Sequence, residues 1–154
     1  MPVNPESIEE IHLRTIDNIH STEIRNSNIH GFGLYATADI PAGTLLCYLE
    51  GQRISQKFHK QIFKSLEPEI ESLESYLFME CNYLADDHVL VRPLRTKYSY
   101  INHGSIPNVS IKNDPFRLLS TTDIIAGDEL TIDYRNEPLS EEYLSRPDKQ
   151  FLKE

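Results

Sequence analysis

From Tyr100 to Tyr134 the chain strings short apolar runs between tight turns. Val109 to Lys112, Phe116 to Thr122 and Leu130 to Ile132 are each long enough for one strand and too short for a helix of several turns. The same grammar recurs upstream. Ile24 to Tyr35 reads as a strand, a turn around Asn26-Ser27-Asn28, and a second extended piece broken by Gly31 and Gly33. Leu45 to Leu49, Tyr76 to Met79 and Val89 to Val91 add further short runs, the last two flanking an Asp86-Asp87 turn. A chain of many short strands without alternating helices is expected to be mainly β, in several small sheets, and not a doubly wound parallel sheet.

Helical signals are few. Residues 6–14 have Ser7 or Asn4 as a cap before Ile8, Ile11 and Leu13. Ser55 to Glu67 places Phe58, Ile62, Phe63 and Leu66 at helical spacing behind a cap at Ser55. The tail from Ser140 is expected to open another helix, with Glu141 and Glu142 in its first turn. Asp39-Ile-Pro-Ala-Gly43 and Asp123-Ile-Ile-Ala-Gly127 echo one another. The likeness is too short for a repeat architecture and reads as one turn chemistry used twice.

The chain's 154 residues suffice for one domain with its own core. There is no run of 18 apolar residues, and no basic stretch leads an apolar one at the start, so neither a membrane span nor a signal peptide is expected. An intracellular protein follows, cytoplasmic if bacterial and open to the nucleus if eukaryotic. Cys47 and Cys81 lack paired metal-ligand spacing and are expected as reduced strand residues, with no metal site. The six histidines are read as packing or surface residues, His103 excepted. The net charge of −9 argues against nucleic-acid binding, which needs clustered Lys and Arg, and suits a basic partner. Part of it is local: Leu66 to Asp87 holds Glu67, Glu69, Glu71, Glu74, Glu80, Asp86 and Asp87 and no basic residue.

Three ordered segments carry a resemblance. His30-Gly31-Phe32-Gly33-Leu34-Tyr35-Ala36, then Asn102-His103-Gly104-Ser105-Ile106-Pro107-Asn108, then Gly127-Asp128-Glu129-Leu130-Thr131-Ile132-Asp133-Tyr134 together resemble the signature of SET-domain protein-lysine methyltransferases. The resemblance implies a β-clip-like SET fold with a pseudoknot near the C-terminus. It divides the chain into an extension (1–20), a SET domain (21–135) with a variable insert at about 56–90, and a tail (136–154) available as a helical lid. It also implies S-adenosylmethionine as cofactor and a lysine side-chain amine as methyl acceptor.

By the same likeness, Gly31, Phe32, Gly33, Tyr100, Asn102, His103 and Tyr134 are the expected cofactor contacts, and Tyr134 is the expected catalytic residue. Tyr48, Phe78, Tyr98 and Ile132 are the expected lining of the substrate channel. An aqueous lysine has a pKa of about 10.4 and is nearly all ammonium at neutral pH. A dry channel and a neighbouring sulfonium both disfavour that charge, so an aromatic-lined passage can deliver the neutral amine without a dedicated base. The Tyr134 hydroxyl would hold the amine and polarise the methyl C–H groups.

The chain departs from the family in places. Gly104 and Ser105 stand where Ser-Cys is usual, and both are small enough to keep the turn. No cysteine cluster follows Tyr134, so Tyr143 and Phe151 of the tail, or a second subunit in a homodimer, are the candidates to cover the cofactor. Arg92, Arg95 and Lys97 are candidates for the cofactor carboxylate, though a surface location is the first expectation for each. Ile132 offers no hydroxyl to hold a water, so transfer of more than one methyl group is expected. The acidic insert reads either as a solvated face or as a docking wall for a basic, lysine-containing protein substrate such as a histone, a histone-like or a ribosomal protein. The alternative function is a non-catalytic SET-fold module that binds a peptide or partner. Nucleotide binding through Gly31-Phe32-Gly33 is a weaker third, since no helix with an acidic ribose partner follows.

Overall fold

The computed structural model describes residues 7–72, 79–113, 116–138 and 145–153, and ten short strands carry its fold. They are β1 (Thr22–Asn26), β2 (Phe32–Ala36), β3 (Leu45–Tyr48), β4 (Gln52–Ser55), β5 (Glu80–Leu84), β6 (His88–Arg92), β7 (Asn102–His103), β8 (Val109–Lys112), β9 (Arg117–Ser120) and β10 (Thr131–Ile132). Two α-helices, α1 (Ile8–Arg14) and α2 (Gln56–Ser72), and three 3-10 turns complete the described residues. The chain is mainly β, as its short apolar runs require. No helix among the described residues is long and apolar enough to cross a membrane. The chain divides into two compact units, one running through Leu49 and resuming at Leu94–Asp133, the other formed by Glu50–Pro93 and the segment from Tyr134 onward.

In the first unit, Ser7 caps α1 through a reciprocal box. Its hydroxyl accepts the Glu10 N–H at 3.2 Å and its own N–H donates to the Glu10 carboxylate at 2.9 Å. That N–H is the main reason the Glu10 carboxyl sits below its ordinary value. Strands β1 and β2 form an antiparallel hairpin with Ile24 opposite Leu34. Its turn closes by Ser27 N–H donating to Gly31 O at 2.8 Å, with Gly31 at φ +47°. A three-stranded antiparallel sheet has the order β3-β9-β8. Leu34, Val109, Leu118 and Leu130 are fully buried and anchor this unit's core.

The Asp-Ile-x-Ala-Gly echo has a structural meaning. Ile40 and Ile124 face each other in an antiparallel bridge, each N–H donating to the other's carbonyl at 2.8 Å. Asp39 accepts the Ala126 N–H at 2.9 Å, and Asp123 accepts the Ala42 N–H at 2.8 Å. The two turns cap one another, so the likeness is a reciprocal pair and not merely one turn used twice. Gly43 at φ +80° and Gly127 at φ +95° end the two turns in the left-handed region.

Strands β7 and β10 pair in parallel, Asn102 beside Thr131 and His103 beside Ile132. Neither is longer than two residues, and β7 was not legible in the sequence. The Asn108 side chain locks the arrangement, donating to Glu129 O at 2.9 Å and accepting the Thr131 N–H at 2.8 Å. A Cβ on Gly104 would stand 2.9 Å from the Thr131 Cβ. The glycine in place of the family's serine therefore matches a tight local contact.

The second unit holds the antiparallel sheet β4-β6-β5 and the helix α2. The Ser55 hydroxyl accepts the Phe58 N–H at 3.1 Å, as the cap expectation requires. The helix runs beyond Glu67 and through Pro68, and the missing N–H donor is tolerated because the carbonyl it would have bonded belongs to Lys64, an exposed residue. Its expected apolar stripe is only half used: Ile62 and Phe63 are half-buried, while Phe58 and Leu66 are exposed. The strand expected at Tyr76 to Met79 lies, apart from Met79, outside the described residues; β5 spans Glu80–Leu84. Its partner β6 follows a turn with Asp86 and Asp87 at φ +60° and +55°, a region aspartate tolerates. The helix expected from Ser140 also begins outside the described residues, and a 3-10 turn spans Pro147–Lys153. Cys47 on β3 is buried and Cys81 on β5 is half-buried, and neither forms a disulfide among the described residues.

Candidate functional site

Glu129, immediately before the buried Leu130 that opens onto β10, gathers three other segments of the first unit. The Ser27 hydroxyl donates to both carboxylate oxygens, at 2.8 and 2.9 Å. The Tyr35 hydroxyl donates at 3.0 Å, and the Asn102 amide at 2.8 Å. Burial first, and the bond to Glu129 next, hold the Tyr35 phenol above its ordinary value. Arg25 lies over the Tyr35 ring at 5.6 Å. Ser27, Tyr35 and Glu129 were not among the residues expected from the sequence. Glu129 stood inside the quoted motif, but nothing in its spacing distinguishes a half-buried hub from a solvated acid.

Asn102 reaches further. Its Nδ2 also lies 3.2 Å from His30 O, 3.1 Å from Phe32 O and 3.2 Å from Ser27 Oγ. The structure thus joins Asn102 to the turn that holds Gly31, Phe32 and Gly33. A carbonyl or carboxylate oxygen only accepts, so the amide NH2 must face this cluster. Asn102 Oδ1 has no partner among the described residues and is not buried.

The two glycines of the turn serve different needs. Gly31 has positive φ and open space where a Cβ would stand. Gly33 is buried, and a Cβ there would lie 2.8 Å from the Glu129 carboxyl carbon and 3.1 Å from the Ser27 Cβ. At Gly33 the main chain therefore packs close against the protein's own Glu129 carboxylate. His103 lies on β7 with Nδ1 3.8 Å from Asp133 Oδ1, both side chains largely buried.

Tyr98 and Ile132 are buried, Tyr48 is exposed, and Phe78 lies outside the described residues. Tyr100 is half-buried, its hydroxyl accepting from Arg95 at 3.0 Å with the guanidinium 5.9 Å over its ring. Tyr134 opens the 3-10 turn Tyr134–Asn136 directly after Asp133 and groups with the second unit. Tyr143 and the side chain of Phe151 lie outside the described residues.

Arg92, Arg95 and Lys97 are not the surface residues first expected. Lys97 is buried, its ammonium donating to Thr22 O at 2.8 Å and Ile19 O at 3.3 Å and pairing with Asp17 at 2.6 Å. Arg92 pairs with the buried Glu80 and donates to Asn82 Oδ1 at 2.8 Å and Glu50 O at 3.1 Å. Each cation already serves the protein's own acceptors. Glu80 is accordingly no part of an exposed acidic wall, whereas Glu67, Glu69, Asp86 and Asp87 are exposed.

Cys81 Sγ lies 3.6 Å from His59 Nε2. Burial pushes the thiol up to about 11 and the imidazole down, so the pair stays neutral and does not form a reactive thiolate. Among the described residues no cluster of three His, Cys, Asp or Glu could hold a metal ion.

The residues present fit a polar, flexible donor molecule such as S-adenosylmethionine: an open flank at Gly31 and an unpartnered acceptor at Asn102 Oδ1 belong to one hydrogen-bonded cluster. The SET-domain family model matches residues 31–135, which contain every part of this cluster except Ser27 and His30. No curated protein matches the sequence at a significant level. Among solved structures, the fold is similar to that of a humanized mutant of the Chaetomium thermophilum Polycomb Repressive Complex 2 bound to the inhibitor GSK126, with 24% identity and a TM-score of 0.53. That likeness covers 77% of this chain but 15% of the other, and it speaks to the fold alone. With more than half its length matched by the family model, the chain belongs to the SET-domain family.

Proposed function

We propose that the protein is an S-adenosylmethionine-dependent methyltransferase acting on the side-chain amine of lysine in a protein. The observation that carries this reading is the Asn102 carboxamide, fixed by Glu129 and the Gly31–Gly33 turn with Oδ1 left free. Gly31, Phe32, Gly33, Tyr100, Asn102, His103 and Tyr134 are the residues proposed to hold the cofactor. When bound, S-adenosylmethionine supplies an electrophilic methyl group on a sulfonium.

The chain's own contribution is positioning and exclusion of water. Tyr134 is the proposed catalytic residue, its hydroxyl orienting the acceptor amine by hydrogen bonding. Tyr48, Phe78, Tyr98 and Ile132 are proposed to line the acceptor's passage, where a low dielectric favours the neutral amine. Since Ile132 carries no hydroxyl, repeated transfer to one lysine is expected, and a strictly monomethylated product would contradict that.

The proposed substrate is a basic protein segment, in keeping with the net charge of −9 and the exposed Glu67 and Glu69 on α2. Reversing Glu69, Glu71 and Glu74 to lysine should raise KM for a basic peptide; an unmoved KM would remove the acidic wall from the account. Calorimetric titration with S-adenosylmethionine tests the reading as a whole. Binding in the micromolar range is expected. Absence of binding would favour the non-catalytic, partner-binding module.

A further inference from the structure

The inference rests on the proposed cofactor site and concerns how the protein prepares it. A carboxamide is nearly symmetric in shape, and rotation by half a turn exchanges its acceptor for its donor. An asparagine that must present an acceptor therefore needs something to fix which end faces outward. Here the inward side offers Asn102 only oxygens: Phe32 O, His30 O, Ser27 Oγ and Glu129 Oε1. Glu129 alone among them is a carboxylate, and a charge-assisted bond is roughly twice as strong as a neutral one.

Glu129 is in turn held against movement. Ser27 donates to both of its oxygens and Tyr35 to one, from the turn and the second strand of the hairpin respectively. The Ser27 hydroxyl, having given its proton to Glu129, accepts the Ile29 N–H at 2.9 Å, which ties the turn itself to the same group. Gly33 leaves the space that the carboxylate fills. We infer that Glu129 is a positioning residue: clamped by Ser27 and Tyr35, it fixes the Asn102 carboxamide so that Oδ1 is presented as an acceptor to a donor group of the cofactor.

A residue that acts through Asn102 should lose its influence once Asn102 is gone, whereas a merely structural brace should not. The test is a double-mutant cycle on S-adenosylmethionine affinity by calorimetry, using wild type, Tyr35→Phe, Asn102→Ala and the double variant, with thermal unfolding recorded for each. Tyr35→Phe removes one donor to the clamp and is mild enough to fold; Ser27→Ala is the second such variant. Each should weaken binding about threefold to tenfold, the range of one hydrogen bond. Neither should weaken it further in the Asn102→Ala background. Equal losses in both backgrounds, or no loss in either, would overturn the inference while leaving the proposed function standing. Failure of the wild type itself to bind would instead overturn the functional reading and the inference with it. The cofactor-free protein offers a separate readout: slow hydrogen exchange of the Asn102 side-chain amide, accelerated in Glu129→Gln. Fast exchange in the wild type would contradict a fixed carboxamide.

Discussion

Asn102 Nδ2 and Glu129 Oε1 are 2.8 Å apart, although 27 residues separate them along the chain. That one bond closes a circuit through Ser27, Tyr35 and the Gly31–Gly33 turn, and sets a glycine, a tyrosine and a serine to work around one carboxylate.

Gly33→Ala measures how tightly the circuit is packed. The added methyl would collide with the Glu129 carboxylate, so the variant should lose about 1–3 kcal/mol of unfolding free energy, the usual cost of overpacking. Urea unfolding checks this. Combining it with Glu129→Ala should cost less than the sum of the two single changes, because the second removes the obstacle.

The reciprocal turns make a second prediction. Asp39→Ala frees the Ala126 N–H and Asp123→Ala frees the Ala42 N–H, both on exposed turns where water can replace the carboxylate. Each should cost about 0.5–1.5 kcal/mol, read from shifts of the denaturation midpoint. A neutral result at both positions would show that the Ile40–Ile124 bridge alone holds the pair.

Cys81 sets a pH dependence. Burial favours its protonated thiol, raising it from an ordinary value of 9.0 to about 11. A raised folded-state value means the stabilisation is fully present below pH 9.0 and fades as pH rises toward 11. Denaturation midpoints measured from pH 8 to 11 should therefore fall more steeply for the wild type than for Cys81→Ala.

Much of the fold could be read before any coordinates. The hairpin around Asn26-Ser27-Asn28 and the strands that open at Val109 and just after Leu130 announce themselves by apolar runs between turn residues. Ser7 and Ser55 mark their helices by cap chemistry. What was hidden is what depends on distant partners. Strand β7 is two residues long and exists because β10 lies beside it. Pro68 signals a helix end, and the exposed helix overrides it. Lys97 looks like a surface lysine, yet Thr22 O and Ile19 O turn it inward. At the site, Asn102 and the glycines were visible as motif residues. Gly33's actual neighbour, Glu129, could not be inferred from spacing, because the contact spans most of the domain.

Transfer of an isotopically labelled methyl group tests the central claim most directly. Purified wild type incubated with labelled S-adenosylmethionine and basic protein extract should place label on lysine side chains, mapped by mass spectrometry. Tyr134→Phe should fold, still bind the cofactor through the retained ring, and lose at least about a hundredfold in turnover, the scale of a well-placed catalytic group. Label on lysine at near-wild-type rate from Tyr134→Phe, or none from the wild type across the extract, would contradict the account.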